Sequence, residues 1–306
     1  MLIIFLLVLT VSSTDVFIFW GYPLDGTSNC VNTTTSSFET CVASCSDSDT
    51  CMLASGNDDY CMLCDLFVVN TIAQSDATNG VKTAIKLDEV PDECPVSMEA
   101  QEYTGTNINN NTYTMTYSGG IWSITYTSMS CPNSTFTKFY RPLGQFCIGV
   151  FGSTRLIPRT TSMITCQSLG GLLTGIQSQA EMDFITAKSK SLTGSLTNYL
   201  YTATWVQGKR IGSCNEAGSE TWPQCVGLKT FNIDDRYLSS YSMYNLAPGT
   251  PSSVKDRGTL RECLQLLMSQ SKTSWQGRIQ EAVCTYPCNA NSSICATSYA
   301  CGIPAF

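Results

Sequence analysis

The chain has 306 residues, seventeen cysteines, no histidine and a formal net charge of −7. The absent histidine rules out serine–histidine and cysteine–histidine catalysis and every histidine-bearing zinc site. No cofactor is expected. The acidic balance argues against nucleic acid, which needs basic surface to displace counterions.

The leading run MLIIFLLVLTVSST reads as a signal peptide over 1–14, with Val11 and Ser13 as small residues before a cleavage point near Ser13. About ten apolar residues are too few to span a bilayer as a helix, and no second long apolar run follows, so no stable membrane insertion is expected. Cysteine-rich sequence behind such a leader reads as a disulfide framework in an oxidising, extracellular compartment. Asn32, Asn110, Asn133 and Asn291 each open an N-x-Ser/Thr sequon and are candidate glycan carriers on the surface.

Cysteine spacing divides the mature chain. The first cluster runs over 15–94 and holds Cys30, Cys41, Cys45, Cys51, Cys61, Cys64 and Cys94. VFIFWGYP is a strand candidate. SSFETCVASC is a helix, with Ser36 and Glu39 as a capping box and Cys41 and Cys45 on one face. TCMLA and YCMLCDLFVV read as strands. VKTAIKL alternates, with Val81, Thr83, Ile85 and Leu87 on one face. A helix-on-sheet unit this small needs its staples. Cys61-x-x-Cys64 spells a redox motif but lacks a βαβ context, so its role is structural. Residues 95–130 are poor in cysteine and read as a linker carrying a hairpin around Gly119–Gly120.

The leading strand with Trp20-Gly21, the Cys41-x-x-x-Cys45 helix, Cys51, the Cys61/Cys64 strand and VKTAIKL before Cys94-Pro95 together resemble the PAN-3 or CW (apple-like) modules of secreted nematode proteins. That pattern has one thiol fewer, and either Cys61 or Cys64 could be the odd one.

Residues 131–306 form the second cluster. FYRPLGQFCIGVF reads as a turn and a strand. TSMITCQSLGGLLTGIQS is a helix ending at Gly170–Gly171 with a strand behind it. SQAEMDFITAKSKS is a second helix capped by Ser178 and Glu181, and TATWVQGKR is a strand with Trp205. The helix segment Cys166-x-x-x-Gly170-Gly171-x-Leu173, Trp205-x-x-Gly208, Glu262-Cys263-Leu264, Cys284 and Cys301 resemble a C-type lectin-like domain. The expected fold class is therefore α+β: two small disulfide-stapled domains, the second with long irregular loops. The resemblance implies Cys166–Cys301 and Cys263–Cys284, with local staples Cys131–Cys147, Cys214–Cys225 and Cys288–Cys295. Spacing alone leaves the connectivity open.

Sugar-binding members of that family hold Ca²⁺ through a Glu-Pro-Asn or Gln-Pro-Asp turn, an acidic residue and a Trp-Asn-Asp segment. Here Pro248 lies between Ala247 and Gly249, and Pro251 between Thr250 and Ser252. The acidic position falls at Arg261, and Gln280 and Glu281 replace the Asn-Asp pair. These degenerate positions imply no calcium-dependent sugar site, and Glu281 reads as a solvated loop carboxylate. Asp234 and Asp235 read the same way. Trp222, Tyr237, Tyr241, Tyr244 and Trp275 lie in the long-loop region as candidate ligand-binding aromatics, set against a role in packing.

Three functional readings follow. The first is a secreted recognition protein for glycan or extracellular protein, of a kind the resemblance links to defence and surface recognition. The second is a purely protein-binding or structural module with no carbohydrate binding. The third, a carboxylate-pair hydrolase, lacks a site, because Asp58-Asp59 are neighbours in a loop rather than a separated acid and base. The odd cysteine leaves a disulfide-linked dimer open.

Overall fold

The computed structural model describes residues 15–35, 37–87, 102–106, 111–152, 154–193, 198–252, 255–256, 258–269 and 274–306. The proposed leader, Ser36, Cys94 and the Asn110 sequon lie outside the described residues. The chain divides into two units, Met1–Met129 with Tyr140–Gly144, and Ser130–Phe139 with Gln145–Phe306. It is a mixed helix and strand protein with three α-helices among the described residues.

The first unit begins with β1 (Asp15–Pro23), β2 (Val31–Thr33), α1 (Phe38–Ser46), β3 (Cys51–Gly56), β4 (Cys61–Asp65), β5 (Thr71–Gln74) and β6 (Lys82–Leu87). It continues with β7 (Glu102–Thr106), β8 (Thr112–Ser118) and β9 (Ile121–Tyr126). The strand order is β2-β4-β3-β6-β1-β5-β9-β8-β7. The long β1 carries the join: Asp15–Trp20 pair with β6, and Gly21–Pro23 pair with β5. Gly21 is needed where the strand changes partner, because a Cβ there would sit 2.5 Å from the Ala73 carbonyl oxygen.

Helix α1 forms because Phe38, Cys41, Val42 and Cys45 recur at helical spacing and all are buried. Its N-cap is Ser37, one residue later than expected, whose hydroxyl accepts from the Thr40 N–H at 3.3 Å. Cys41–Cys61 and Cys45–Cys51 fasten the helix to β4 and β3, and Cys30–Cys64 ties the loop after β1 to β4. Neither Cys61 nor Cys64 is therefore the odd thiol, and the Cys-x-x-Cys pair is divided between two bridges. The alternation read in β6 has both faces covered: Ala84 packs under α1 and Ile85 joins the larger core.

That larger core corrects the linker expectation. Tyr113, Met115, Trp122 and Ile124 of the β8–β9 hairpin pack with Phe19, Leu53, Ile72 and Ile85. β9 pairs with β5 through Thr71–Ser123, Ile72–Trp122 and Ala73–Ile121. The hairpin is a structural part of the first unit, turned by Gly119 and Gly120 at positive φ.

The second unit contains β10 (Phe136–Arg141), β11 (Gly144–Gly152), α2 (Arg159–Ser168), β12 (Leu172–Leu173), α3 (Gln179–Thr193), β13 (Tyr201–Arg210) and β14 (Phe231–Asn232). It ends with β15 (Lys255–Asp256), β16 (Thr259–Leu260), β17 (Cys263–Met268), β18 (Ile279–Ala282) and β19 (Ile294–Pro304). The sheet runs β10-β11-β19-β13-β17-β18, with β12 on β19 and β14 on β13. The β13–β19 pairing is parallel, and β11 pairs antiparallel to β19 from Phe146–Pro304 to Gly152–Ser298. Trp205 is fully buried and donates its indole N–H to the Ile157 carbonyl at 2.7 Å. Disulfides Cys131–Cys147, Cys166–Cys301, Cys214–Cys225, Cys263–Cys284 and Cys288–Cys295 close the unit. Ser130 and Phe306 exchange two backbone hydrogen bonds, at 2.7 and 3.1 Å, so the two ends of the unit meet.

Candidate functional site

After Arg210 the chain leaves the sheet in a series of 3-10 turns over 212–230, pinned by Cys214–Cys225. It returns through extended and turn segments to β17. Short turns hold this region because they satisfy backbone groups locally, without sheet partners.

Its base is a buried ion pair. Arg210, at the end of β13, reaches Glu281 on β18 at 2.6 Å, with both side chains essentially inaccessible to water. The guanidinium also donates to the carbonyls of Arg261 at 3.2 Å, Cys214 at 3.0 Å and Ser252 at 2.6 Å. The second oxygen of Glu281 accepts from the Ser252 N–H at 2.9 Å and from the Ser252 hydroxyl. Burial pushes the Glu281 carboxyl up, while the Ser252 hydrogen bonds and the Arg210 cation pull it back. Glu281 is thus a buried strand residue, not a solvated loop carboxylate. Gln280 is half-buried on the same strand, and Arg261 offers its carbonyl to Arg210.

This donor set does not fit Ca²⁺. The ion needs six to eight oxygens, several of them carboxylate. Both Glu281 oxygens are engaged, and the three carbonyls around them already face a guanidinium. Arg210 itself escaped the sequence reading. It closes a strand after Trp205, and its partner lies 71 residues further along.

The five candidate aromatics do not form one platform. Tyr244 is buried and donates its hydroxyl to the Gln207 carbonyl at 3.0 Å. Tyr241 is exposed and meets Tyr244 edge to face at 6.3 Å. Trp275 stacks on Tyr201 at 5.8 Å. Trp222 is half-buried on the stapled loop between Cys214 and Cys225. Tyr237 packs on Phe146 at 5.2 Å and lines a cavity of about 530 Å³.

That cavity also separates the two aspartates read as solvated. Asp234 is exposed at its edge. Asp235 is buried and accepts from the N–H groups of Gly175 at 2.8 Å and Tyr237 at 3.1 Å, so it fixes the turn. Of the sequon asparagines, Asn32, Asn133 and Asn291 are exposed.

The fold and this loop-bearing site define a C-type lectin-like domain preceded by a PAN-like domain. The family model described as C-type lectin domain-containing protein 141/158 matches residues 137–304, more than half of the chain, and the chain belongs to that family. The PAN-like domain model matches residues 17–87. Both are typically non-enzymatic recognition modules, the lectin-like one for carbohydrate or protein. No curated protein matches the chain significantly.

Several solved structures resemble it in fold. The C-type carbohydrate-recognition domain of cow CD23, crystallised with a GlcNAc2Man3 oligosaccharide, is 18% identical, with 58% of this chain and 99% of that one covered at a TM-score of 0.36. A calcium-independent type II antifreeze protein is 16% identical, with coverages of 59% and 98% and a TM-score of 0.36. The carbohydrate-recognition domain of mouse scavenger receptor C-type lectin is 13% identical, with coverages of 58% and 100% and a TM-score of 0.34.

Proposed function

We propose that the chain is a secreted extracellular recognition protein whose lectin-like unit binds glycan without calcium. The observation that carries this reading is the Arg210–Glu281 pair. A positive side chain already neutralises the carboxylate that would have to meet a metal ion, and the shell of oxygens around it is closed. Removing that cation from its partner costs several kcal/mol, which binding of a divalent ion would have to exceed. Asn32, Asn133 and Asn291, exposed in sequons, are proposed as carriers of N-glycans, which keeps the stapled units soluble.

The test is a panel of immobilised glycans probed with the disulfide-intact protein, once with calcium and once with chelator. Equal binding in both buffers is the expected result. Binding that requires calcium would overturn the calcium-independent reading. Silence in both buffers would overturn the glycan reading in favour of an extracellular protein partner.

A further inference from the structure

We propose that the cavity bounded by the end of α2, β12, the end of β19 and the Asp234–Tyr237 turn is a saccharide site, taking a neutral pyranose unit. The assignment rests on the glycan reading above and gives it a location. At about 530 Å³ the cavity lies in the size range of small-ligand sites.

Its wall is apolar: Phe146, Tyr237, Pro304 and Leu172, the last a large hydrophobic side chain left 46% exposed. The rim carries Asp234, Arg236 and Gln167, all exposed, and so offers a carboxylate, a guanidinium and an amide. A pyranose has the matching chemistry. Its C–H faces suit an aromatic and aliphatic wall, and each hydroxyl both donates and accepts. Asp234 can only accept, Arg236 can only donate, and Gln167 can do both.

The opposed charges on the rim also select against other occupants. A cation would face Arg236, and an anion would face Asp234. The rim suits a ligand that is neutral and rich in both donors and acceptors.

The turn bearing these groups is fixed before any ligand arrives. Buried Asp235 holds the Gly175 and Tyr237 N–H groups, and the Leu238 N–H closes onto the Asp235 carbonyl at 3.0 Å. Gln207 donates to the Asp234 carbonyl at 3.0 Å. The Arg236 guanidinium lies over the Tyr237 ring at 5.9 Å, and Phe146 packs against the same ring. The opposite wall is bare backbone. Gly170 has φ +85°, and a Cβ on Gly171 would sit 2.3 Å from the Gly302 carbonyl oxygen. Preorganised polar groups of this kind lower the ordering cost of binding.

The experiment uses the full disulfide-intact chain in chelator, with lactose, diacetylchitobiose and mannobiose as probes, read by saturation-transfer NMR. Asp234→Asn and Gln167→Ala alter exposed side chains, and Leu172→Arg fills the cavity. Each is checked for unchanged thermal unfolding. The expected result is binding by at least one probe, weakened about tenfold or more by Asp234→Asn and Leu172→Arg. Trp222→Ala and Tyr241→Ala, outside the cavity, leave it unchanged.

If the cavity variants bind as the parent does and Trp222→Ala or Tyr241→Ala loses binding, this site is wrong while the glycan reading stands. If no probe binds and the glycan panel is silent too, both fall. If only a zwitterion such as free leucine competes for the cavity, the saccharide assignment is overturned.

Discussion

Arg210 and Glu281 are coupled so closely that each determines what the other can tolerate. Arg210→Met leaves a carboxylate buried without its cation, and the expected loss of stability is about 3–5 kcal/mol. The double variant Arg210→Met/Glu281→Leu should recover only part of it: no charge is left buried, but the Ser252 N–H and the Ser252 and Arg261 carbonyls lose the hydrogen bonds they make to this pair. Thermal unfolding of the three proteins measures both effects. Asp25 makes a contrasting case near the surface. Partial burial raises its carboxyl, but N–H groups of Asn70 and Thr71 and their side chains outweigh that and hold it below the ordinary 3.8. A folded value below the unfolded one gives stability that is present above the unfolded value and lost as pH falls through the folded one. Protection of the Asn70 and Thr71 amides, taken relative to their intrinsic exchange rates, should therefore fall as pH drops below about 3.8, and Asp25→Asn should abolish that dependence. At this scale the sequence was least legible. Nothing local to Gln280-Glu281 announces an arginine from another strand. Asp234 and Asp235 look alike in sequence, yet only Asp235 is turned inward.

Elements were more legible where their pattern is local. The α1 face, the Gly119–Gly120 hairpin, the Gly170 stop of α2 and the Trp205 strand all follow from spacing and turn chemistry. Their placement did not follow. Thr, Tyr and Ser alternate along β8 and β9 much as they would in an exposed ribbon, so nothing in the segment declares that Trp122 is fully buried among Phe17, Phe19 and Tyr117. The stretch expected to be a turn ahead of β11 begins at Phe139, yet Phe139–Arg141 belong to β10. It is an edge strand, one whose partner lies on one side only. The consequence is testable. A fragment ending at residue 94 loses the strands that cover Phe19 and Ile72, whereas one ending at 129 keeps them. The shorter fragment is expected to lack near-UV circular dichroism and to unfold without cooperativity, and the longer one to fold.

For the whole molecule, the two-module order was legible because cysteine clusters and a cysteine-poor gap mark it. Spacing left the pairings open, since the same cysteines admit many connectivities. Eight disulfides among the described residues engage sixteen of the seventeen cysteines, and the seventeenth, Cys94, lies outside the described residues. Non-reducing electrophoresis decides between the two fates open to the odd cysteine: a dimer that Cys94→Ser converts to monomer marks a bridge between copies, and a monomer throughout marks a free thiol. The loop-closure model assigns about 5 kcal/mol to a link as long as Cys166–Cys301 and about 3 kcal/mol to one as short as Cys214–Cys225. Finally, Ser130 and Phe306 hold hands across the start and finish of the second unit, beside the Cys131–Cys147 bridge. Two backbone bonds at one spot act as a clasp, so fraying of either margin of this unit has to undo both.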